Sequence, residues 1–192
     1  MEYALEIEGT PETVPGGTGI LLRHPSTGET DRIDTDFLKT DIDRFLVVST
    51  RTTAREVRQK LEYYDVDESR ADILDTLSIE RGYSRRSKDH VYYVSAPDHV
   101  DGIVEQVERF LERTDGKRRI SFDSLTELAY YAGEEEALDA ARRILTLLDE
   151  HDAVGLFHLS AEVHDDEVLG EFGELFDGVV DLHEDGRIDA DF

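Results

Sequence analysis

Residues 20–30 read Ile-Leu-Leu-Arg-His-Pro-Ser-Thr-Gly-Glu-Thr, and this stretch decides the fold of the chain. Three apolar residues at its start are typical of a buried strand, and the proline and glycine that follow are typical of a tight turn. Beyond the turn, Ile33, Phe37 and Leu38 recur at helical spacing. The sequence therefore predicts a strand, a tight loop and a helix in direct succession.

This succession is the context of a phosphate-binding loop, whose pattern is G-x-x-x-x-G-K-[ST]. Gly28 fits the second glycine of the pattern, and Thr30 fits its hydroxyl position. Arg23 stands in place of the first glycine, and Glu29 stands in place of the lysine that would hold phosphate. We therefore predict the frame of a nucleotide site in which the key cation is reversed.

The length, composition and net charge of the chain indicate which class of protein it is. The chain has 192 residues, 39% of them hydrophobic, and we interpret residues 1–192 as a single domain with a real core. Its formal net charge of −25 is spread along the whole sequence, and few of its cations are lysines. Such self-repulsion is best screened in molar salt, where the Debye length is about 3 Å. The composition resembles that of haloarchaeal proteins, and it disfavours nucleic-acid binding.

Three absences narrow the class further. Without cysteine the chain can form neither disulfides nor thiolate metal sites. No apolar run approaches the roughly 20 residues of a transmembrane helix, and the polar N-terminus does not resemble a signal peptide. We therefore expect a cytoplasmic protein that has no membrane partner.

Strands and helices alternate along the rest of the sequence. Helical spacing of apolar residues predicts helices over residues 54–64, 138–148 and 168–176, and a further helix that opens at Pro97-Asp98 and ends at Asp115-Gly116. Short apolar runs predict strands at residues 45–48, 91–94, 120–122, 153–159 and 179–182, with a short edge strand at residues 3–7 and a short apolar segment at residues 73–77. A final Glu-Asp-Gly turn predicts a terminal β-hairpin. The whole pattern indicates a three-layer α/β fold with a mainly parallel sheet.

Several segments, in this order, resemble the RecA/KaiC type of P-loop ATPase. Residues 14–18, Val-Pro-Gly-Gly-Thr, resemble the proline-glycine lead into the first strand of that family. Residues 25–30 resemble its P-G-T-G-K-T loop, and residues 120–125, Ile-Ser-Phe-Asp-Ser-Leu, resemble its Walker B strand. Residues 176–182 resemble its terminal Asp-Gly-Val hairpin. The resemblance covers most of the chain and implies a RecA-like fold.

The resemblance also implies a sheet order and a set of site residues. In this family a strand separates the phosphate-loop strand from the Walker B strand, so residues 153–159 should lie between them. The implied nucleotide-binding positions, in degenerate form, are Ser26, Thr27, Gly28, Glu29, Thr30 and Asp123. ATP with Mg²⁺ would be the cofactor, with Asp123 holding the ion. In the alternative that we favour, Asp123 bonds nearby backbone and no cofactor binds.

Two departures from the family pattern affect positions that bind phosphate or catalyse hydrolysis in the family. Glu29 occupies the lysine position, and one contact between unit charges is worth about 4 kcal/mol at an effective dielectric constant of 20. Micromolar nucleotide affinity corresponds to only about 8 kcal/mol in total. Arg51 and Thr52 occupy the positions of the family's catalytic glutamates, and neither accepts a proton near neutral pH. We therefore expect no catalytic residue and no hydrolysis.

Glu29, Asp31 and Asp34 crowd the amino end of the first predicted helix. They could bind a metal or another cation, or they could stabilise the positive helix end in place of phosphate. We favour the second interpretation. It predicts that the Glu29 carboxylate lies within reach of the backbone N–H groups of residues 28–31, or of Arg23 or Arg51.

Two further groups of residues have both a functional and a structural interpretation. Three histidines, at positions 151, 158 and 164, match no standard metal-ligand spacing, so we interpret them as satisfied or exposed side chains and predict no metal site. A basic island could contact an acidic partner or a neighbouring subunit, or its charges could pair locally. The residues of this island are Arg81, Arg85, Arg86 and Lys88.

The leading hypothesis is a non-catalytic RecA/KaiC-like domain that acts in regulation through contacts with a partner protein of unknown identity. The alternative is an ATP-binding protein or weak ATPase of the KaiC type, with Arg23 replacing the missing lysine. A recombinase-like, DNA-associated protein is a more remote alternative, because the surface is acidic. Since members of the family commonly form rings, the resemblance also implies a homo-oligomer.

Overall fold

The computed structural model describes residues 1–26, 29–82 and 89–192. The strands in these residues are β1 Glu2–Ala4, β2 Thr13–Pro15, β3 Gly19–His24, β4 Arg44–Ser49, β5 Ala71–Asp75, β6 Val91–Tyr93, β7 Arg118–Asp123, β8 Val154–Ser160, β9 Gly178–Leu182 and β10 Ile188–Asp191. The helices are α1 Asp31–Lys39, α2 Ala54–Tyr63, α3 Val100–Arg113, α4 Leu125–Ala132, α5 Glu134–Glu150 and α6 Asp166–Gly173, with a 3₁₀ turn at Glu68–Arg70.

Eight strands form one sheet in the order β10-β9-β3-β8-β7-β4-β5-β6. Strands β9 to β6 are parallel to their neighbours, and β10 runs antiparallel to β9 as a C-terminal hairpin. Strand β8 lies between β3 and β7, with Leu156 paired to Ile20 on one side and to Ser121 on the other. The predicted α/β fold, its mainly parallel sheet and the position of this strand are confirmed.

Both faces of the sheet are covered, which explains why its strands read as continuous apolar runs. Along β3, Leu21 packs into the core shared with α3, α4 and α5. Its neighbours Ile20 and Leu22 pack into the second core, shared with α1, α2 and the hairpin of β1 and β2. Because every residue of such a strand meets one of the two helical layers, alternation of polar and apolar residues is lost.

Two glycines let α5 approach the sheet closely. Gly19 and Gly155 are opposite each other in the β3–β8 pair. A Cβ atom on Gly19 would lie 2.0 Å from Cδ2 of Leu145, and one on Gly155 would lie 2.8 Å from Cδ1 of Leu148. A larger residue at either position would push the leucines of α5 away from the central strands.

The structure differs from the sequence expectations at helix α4 and in the N-terminal residues that form β1 and β2. The sequence does not predict α4, which Ser124 caps by accepting from the backbone N–H of Glu127, and which Gly133 (φ 98°) separates from α5. The strand expected over residues 3–7 is shorter, and β1 pairs with β2 in a separate two-stranded sheet that buries Tyr3 against Val14.

No helix among the described residues has the length and apolar character to span a bilayer.

Candidate functional site

The end of β3 lies at the carboxyl edge of the sheet, where open α/β sheets place their binding sites. Of the six predicted nucleotide-binding residues, Thr27 and Gly28 lie outside the described residues. Ser26 is exposed, and its Oγ lies 2.7 Å from Oγ of Ser160. Thr30 is buried and precedes α1, but its side chain makes no capping hydrogen bond.

Glu29 is exposed and makes no hydrogen bond or ion pair with any described residue. Arg23 donates to both carboxylate oxygens of Asp181, at 2.7 Å each, because the two residues are paired across β3 and β9. Arg51 forms an ion pair with Asp123. The prediction allowed two contacts for Glu29, with an arginine or with the backbone N–H groups of residues 28–31. The contact with Arg23 or Arg51 is wrong, since both arginines are held by carboxylates at strand ends. The backbone contact stays a prediction, because it involves Gly28, which lies outside the described residues.

Asp123 is the last residue of β7 and is buried. Nη2 of Arg51 donates to its Oδ2 at 3.0 Å, and Nε of Arg51 lies 2.9 Å from its Oδ1. The Nε contact is not aligned as a hydrogen bond, so Oδ1 has no hydrogen-bond donor among the described residues. Burial raises the pKa of Asp123, but His158, Arg51 and Lys60 together hold it below its usual value. The carboxylate is therefore charged, and it pairs with a guanidinium rather than with nearby backbone.

A second buried carboxylate lies beside this pair. Nζ of Lys60 is 2.9 Å from Oδ2 of Asp34, while Oγ of Ser121 donates to Oδ1 at 2.5 Å. Nε2 of His158 lies 2.9 Å from the same Oδ1. We call these four residues the Asp34 cluster. They come from α1, α2, β7 and β8, so the cluster joins one helical layer to the two central strands.

The charges of the Asp34 cluster stabilise one another. Burial raises the pKa of Asp34, yet Lys60, His158 and the Ser121 hydroxyl lower it overall. Burial lowers the pKa of Lys60, but Asp34 and Asp123 raise it overall. For His158 the loss of hydration is likewise outweighed by Asp123 and Asp34, which raise its pKa above the ordinary value. In each of the three residues, the opposite charges nearby thus outweigh the cost of burying the charge, without any ligand.

His24, the last residue of β3, has the opposite protonation preference. Its Nδ1 donates to the carbonyl of Pro25 at 2.8 Å, which leaves Nε2 as an acceptor. That Nε2 atom is buried and has no partner among the described residues. Burial lowers the pKa of His24, and its ring lies 5.8 Å from the ring of His158. A neutral histidine with a free lone pair thus stands next to a histidine that favours its charged form.

A cavity of about 380 Å³ opens at the carboxyl edge above His24 and Arg51. Hydroxyl side chains line its wall: Ser26, Ser124, Thr126 and Ser160. Tyr130, Tyr131 and Val163 form its mouth, and their relative exposures are 83%, 39% and 61%. The cavity combines a polar floor with an aromatic and aliphatic rim.

The basic island and the histidines that the sequence singles out do not come together in one site among the described residues. Arg81 is exposed in the turns after β5, and Arg85, Arg86 and Lys88 lie outside the described residues. His164 is buried between Thr126 and Glu134. Within residues 1–26, 29–82 and 89–192 no three His, Asp or Glu side chains are arranged to bind a metal ion.

Sequence reasoning missed the Asp34 cluster as a unit. Asp34 is separated from Lys60 by 26 positions and from His158 by 124. Each of these residues has an ordinary local interpretation, as a helix-end charge, a residue of an amphipathic helix or a strand residue. The only available signal was that lysine is rare in this chain, so that each lysine is worth examining.

Comparisons with known proteins agree with this architecture. Residues 1–192 match the model of a family described as "Family of unknown function (DUF7090)". The chain belongs to that family. No curated protein matches the sequence.

Three solved structures share the fold of this DUF7090 chain at low sequence identity. An ATPase from the type III secretion system of pathogenic bacteria has a TM-score of 0.63 and 12% identity, over 96% of this chain and 58% of its own. A KaiC-like protein from the hyperthermophilic archaeon Pyrococcus horikoshii OT3 has a TM-score of 0.61 and 16% identity, over 92% of this chain and 77% of its own. A second protein of that archaeon has a TM-score of 0.60 and 12% identity, over 91% and 86%. The chain thus spans little more than half of the secretion ATPase.

Proposed function

We propose that this chain is a RecA/KaiC-like domain that does not hydrolyse ATP and acts through contacts with another protein. The ion pair between Arg51 and Asp123 carries the proposal. Asp123 corresponds to the family's metal-holding aspartate, and Arg51 corresponds to one of its catalytic glutamates. The residue at the metal-holding position and the residue at the catalytic position are therefore paired with each other.

The charge balance around the loop supports the same conclusion. Four carboxylates lie at or near the start of α1 and the end of β7: Glu29, Asp31, Asp34 and Asp123. Lys60 and Arg51 oppose them, and protonation of His158 can add a third positive charge, so negative charge is in surplus in either protonation state of His158. A nucleoside triphosphate needs surplus positive charge and free N–H donors. Binding of one here would require the ion pairs of Asp123 and Asp34 to break.

The alternative of a weak KaiC-type ATPase needs a cation in place of the missing lysine. Arg23, the candidate for that role, is held by Asp181 through two hydrogen bonds of 2.7 Å. The hydrogen bond to Asp181 raises the pKa of Arg23 overall, although burial opposes its charge. Its guanidinium is therefore engaged at the β9 side of the sheet, and the alternative loses its support.

Nucleotide titration and an ATPase assay with Mg²⁺ in molar KCl test the proposal. We expect the wild-type protein to turn over no ATP above an Asp123→Ala control. Glu29→Lys should restore at most weak binding of ATP or ADP, because the other carboxylates remain. Turnover should need the further changes Arg51→Glu and Thr52→Glu, which supply a proton acceptor. Hydrolysis by the wild type above that control would refute the proposal.

A further inference from the structure

The cavity above His24 has the anatomy of a protein–protein binding site. Tyr130 and Val163, which lie at its mouth, are 83% and 61% exposed. Tyr130 packs edge to face with Tyr131, with ring centroids 5.2 Å apart. Exposed aromatic side chains around a cavity are typical of interface centres, since they bury large areas and lose little side-chain entropy on binding.

Acidic residues lie close to Val163 along the chain and near His164 across a contact with α5. Glu134 contacts His164 at 3.1 Å, which brings the first turn of α5 next to the loop that carries Val163. Exposed acidic residues flank these two positions: Glu135, Glu136, Glu162 and Asp166. Among the described residues no cation pairs with any of the four. The rim therefore attracts a partner of positive charge.

Besides hydroxyl groups and Arg51, the cavity lining contains two groups that can accept a hydrogen bond from a cation. Nε2 of His24 holds a free lone pair, although His24 is only 5% exposed. Glu127 adds a carboxylate to the wall. Arg51 is the cation of the wall, and Asp123 compensates its charge. Arg51, Asp123 and Glu127 together carry one net negative charge, so a positive group can enter.

We propose that this cavity receives a lysine or arginine side chain from a basic segment of a partner protein. The methylene stem would pack against Tyr130, Tyr131 and Val163, with a cation–π contact at the rings. The charged head would donate to Nε2 of His24 and to the carboxylate of Glu127. This inference rests on the proposed function for its premise that the chain acts through protein contacts, and it identifies the partner surface as basic.

The probe is a fluorescein-labelled eight-residue peptide of alternating lysine and alanine, titrated with the protein by fluorescence anisotropy at the lowest KCl concentration at which circular dichroism shows the wild type folded. We expect saturable binding to the wild type, and a loss of about tenfold or more in affinity for the double variant Tyr130→Ala, Val163→Ala. His24→Phe keeps the ring and removes the acceptor, so it should weaken binding several-fold. All these variants keep the net charge, so non-specific attraction to an acidic protein does not change.

Tyr63→Ala is the matched control, because Tyr63 is 81% exposed and also packs edge to face with its neighbouring tyrosine, Tyr64. It should bind the peptide like the wild type. A second control replaces each lysine of the peptide by norleucine, which should abolish binding. Equal affinity of the double variant and Tyr63→Ala, binding of the norleucine peptide, or no binding by the wild type would each overturn the inference.

The two proposals fail separately. ATP hydrolysis by the wild type would refute the proposed function and leave a cavity-dependent peptide affinity in place. A peptide result against the cavity would leave the absence of hydrolysis untouched. Because Tyr130 and Val163 are exposed, their replacement should not disturb folding, and circular dichroism checks this.

Discussion

Two fully buried aspartates are held by cations on opposite edges of the same sheet. Asp34 is bound by Lys60, Ser121 and His158 at the carboxyl edge. The other aspartate, Asp72, is the second residue of β5, at the edge where the parallel strands begin.

We call the surroundings of Asp72 the Asp72 cluster. Nη2 of Arg44 and Nη2 of Arg113 each lie 2.5 Å from one carboxylate oxygen of Asp72, and Nδ1 of His90 lies 2.9 Å from Oδ1. Arg113 also stacks over the ring of Tyr92 at 4.2 Å. Chemically, the Asp72 cluster satisfies its carboxylate at least as well as the Asp34 cluster does.

The difference between the clusters lies in their access to water and in their place on the sheet. His90 and Arg113 are 55% and 34% exposed, so partly exposed side chains cover the buried carboxylate of the Asp72 cluster. Lys60 is 16% exposed and His158 is 1% exposed, so the Asp34 cluster is sealed. Buried ionic clusters therefore occur at both ends of the strands in this fold, so their presence alone does not indicate a functional site. The Asp34 cluster is a candidate for function only because it lies at the carboxyl edge.

The largest effect should come from Lys60→Met. It removes the lysine charge from the buried Asp34 carboxylate, which keeps only the Ser121 hydroxyl and the ring of His158. Breaking a buried pair in this way costs about 3–5 kcal/mol of unfolding free energy. Urea denaturation measures the change. The matched control is Lys39→Met, because Lys39 pairs with Asp36 at 3.0 Å and is 42% exposed, so its loss should cost less than about 1 kcal/mol.

A double variant separates lost pairing from lost packing. Asp34→Asn removes the charge that Lys60→Met strands, so the double variant should recover much of the stability. If Lys60→Met proved as mild as Lys39→Met, the Asp34 cluster would not be sealed and its contrast with the Asp72 cluster would disappear.

Arg44→Met should have a smaller effect than Lys60→Met. Asp72 keeps Arg113 and His90, and water reaches the site past the exposed His90, so the loss should be about 1–3 kcal/mol. The same urea assay measures it. A loss larger than that of Lys60→Met would show that the number of cations, and not their exposure, determines the cost.

The smallest effects concern pH and should sharpen the contrast between His158 and His24. The pKa of His158 is raised by Asp123 and Asp34 against its burial, so its stabilisation is full below the unfolded pKa of about 6.5 and is lost as pH rises through the folded value. The pKa of His24 is lowered by burial, so its contribution is present above about 6.5 and is lost as pH falls.

Titration of the histidine ring signals by NMR checks this order. His158 should lose its proton at a higher pH than His24 does. A tenfold difference in proton affinity between the folded and unfolded chain corresponds to about 1.4 kcal/mol of stability. Asp34→Asn should lower the pKa of His158 and leave His24 less affected, because only His158 is bonded to Asp34. The reverse order of titration would contradict the assignment of charge within the cluster.

The sequence predicts the scaffold well because buried parallel strands leave a local signature. The run Ile20–Leu22 and the Asp-Ser end of β7 locate two central strands, and their separation by β8 follows from the family resemblance. Helix α4 escapes prediction because its eight residues are too short for a clear apolar period beside a tight Gly133 boundary. The contacts of Arg51 also escape, because an arginine at a strand end gives no sign of which carboxylate it will meet.

The sheet order has a consequence for how the chain is made. Strand β3, complete by residue 24, pairs with β8 and β9, which begin only at residues 154 and 178. Strands β4, β5, β6 and β7 can associate earlier, because their mutual partners all precede residue 124. During synthesis the ribosome must therefore carry a chain in which β3 has no partner strand and β7 presents an open edge. Insertion of β8 closes that edge, so a strand translated late completes the centre of the fold.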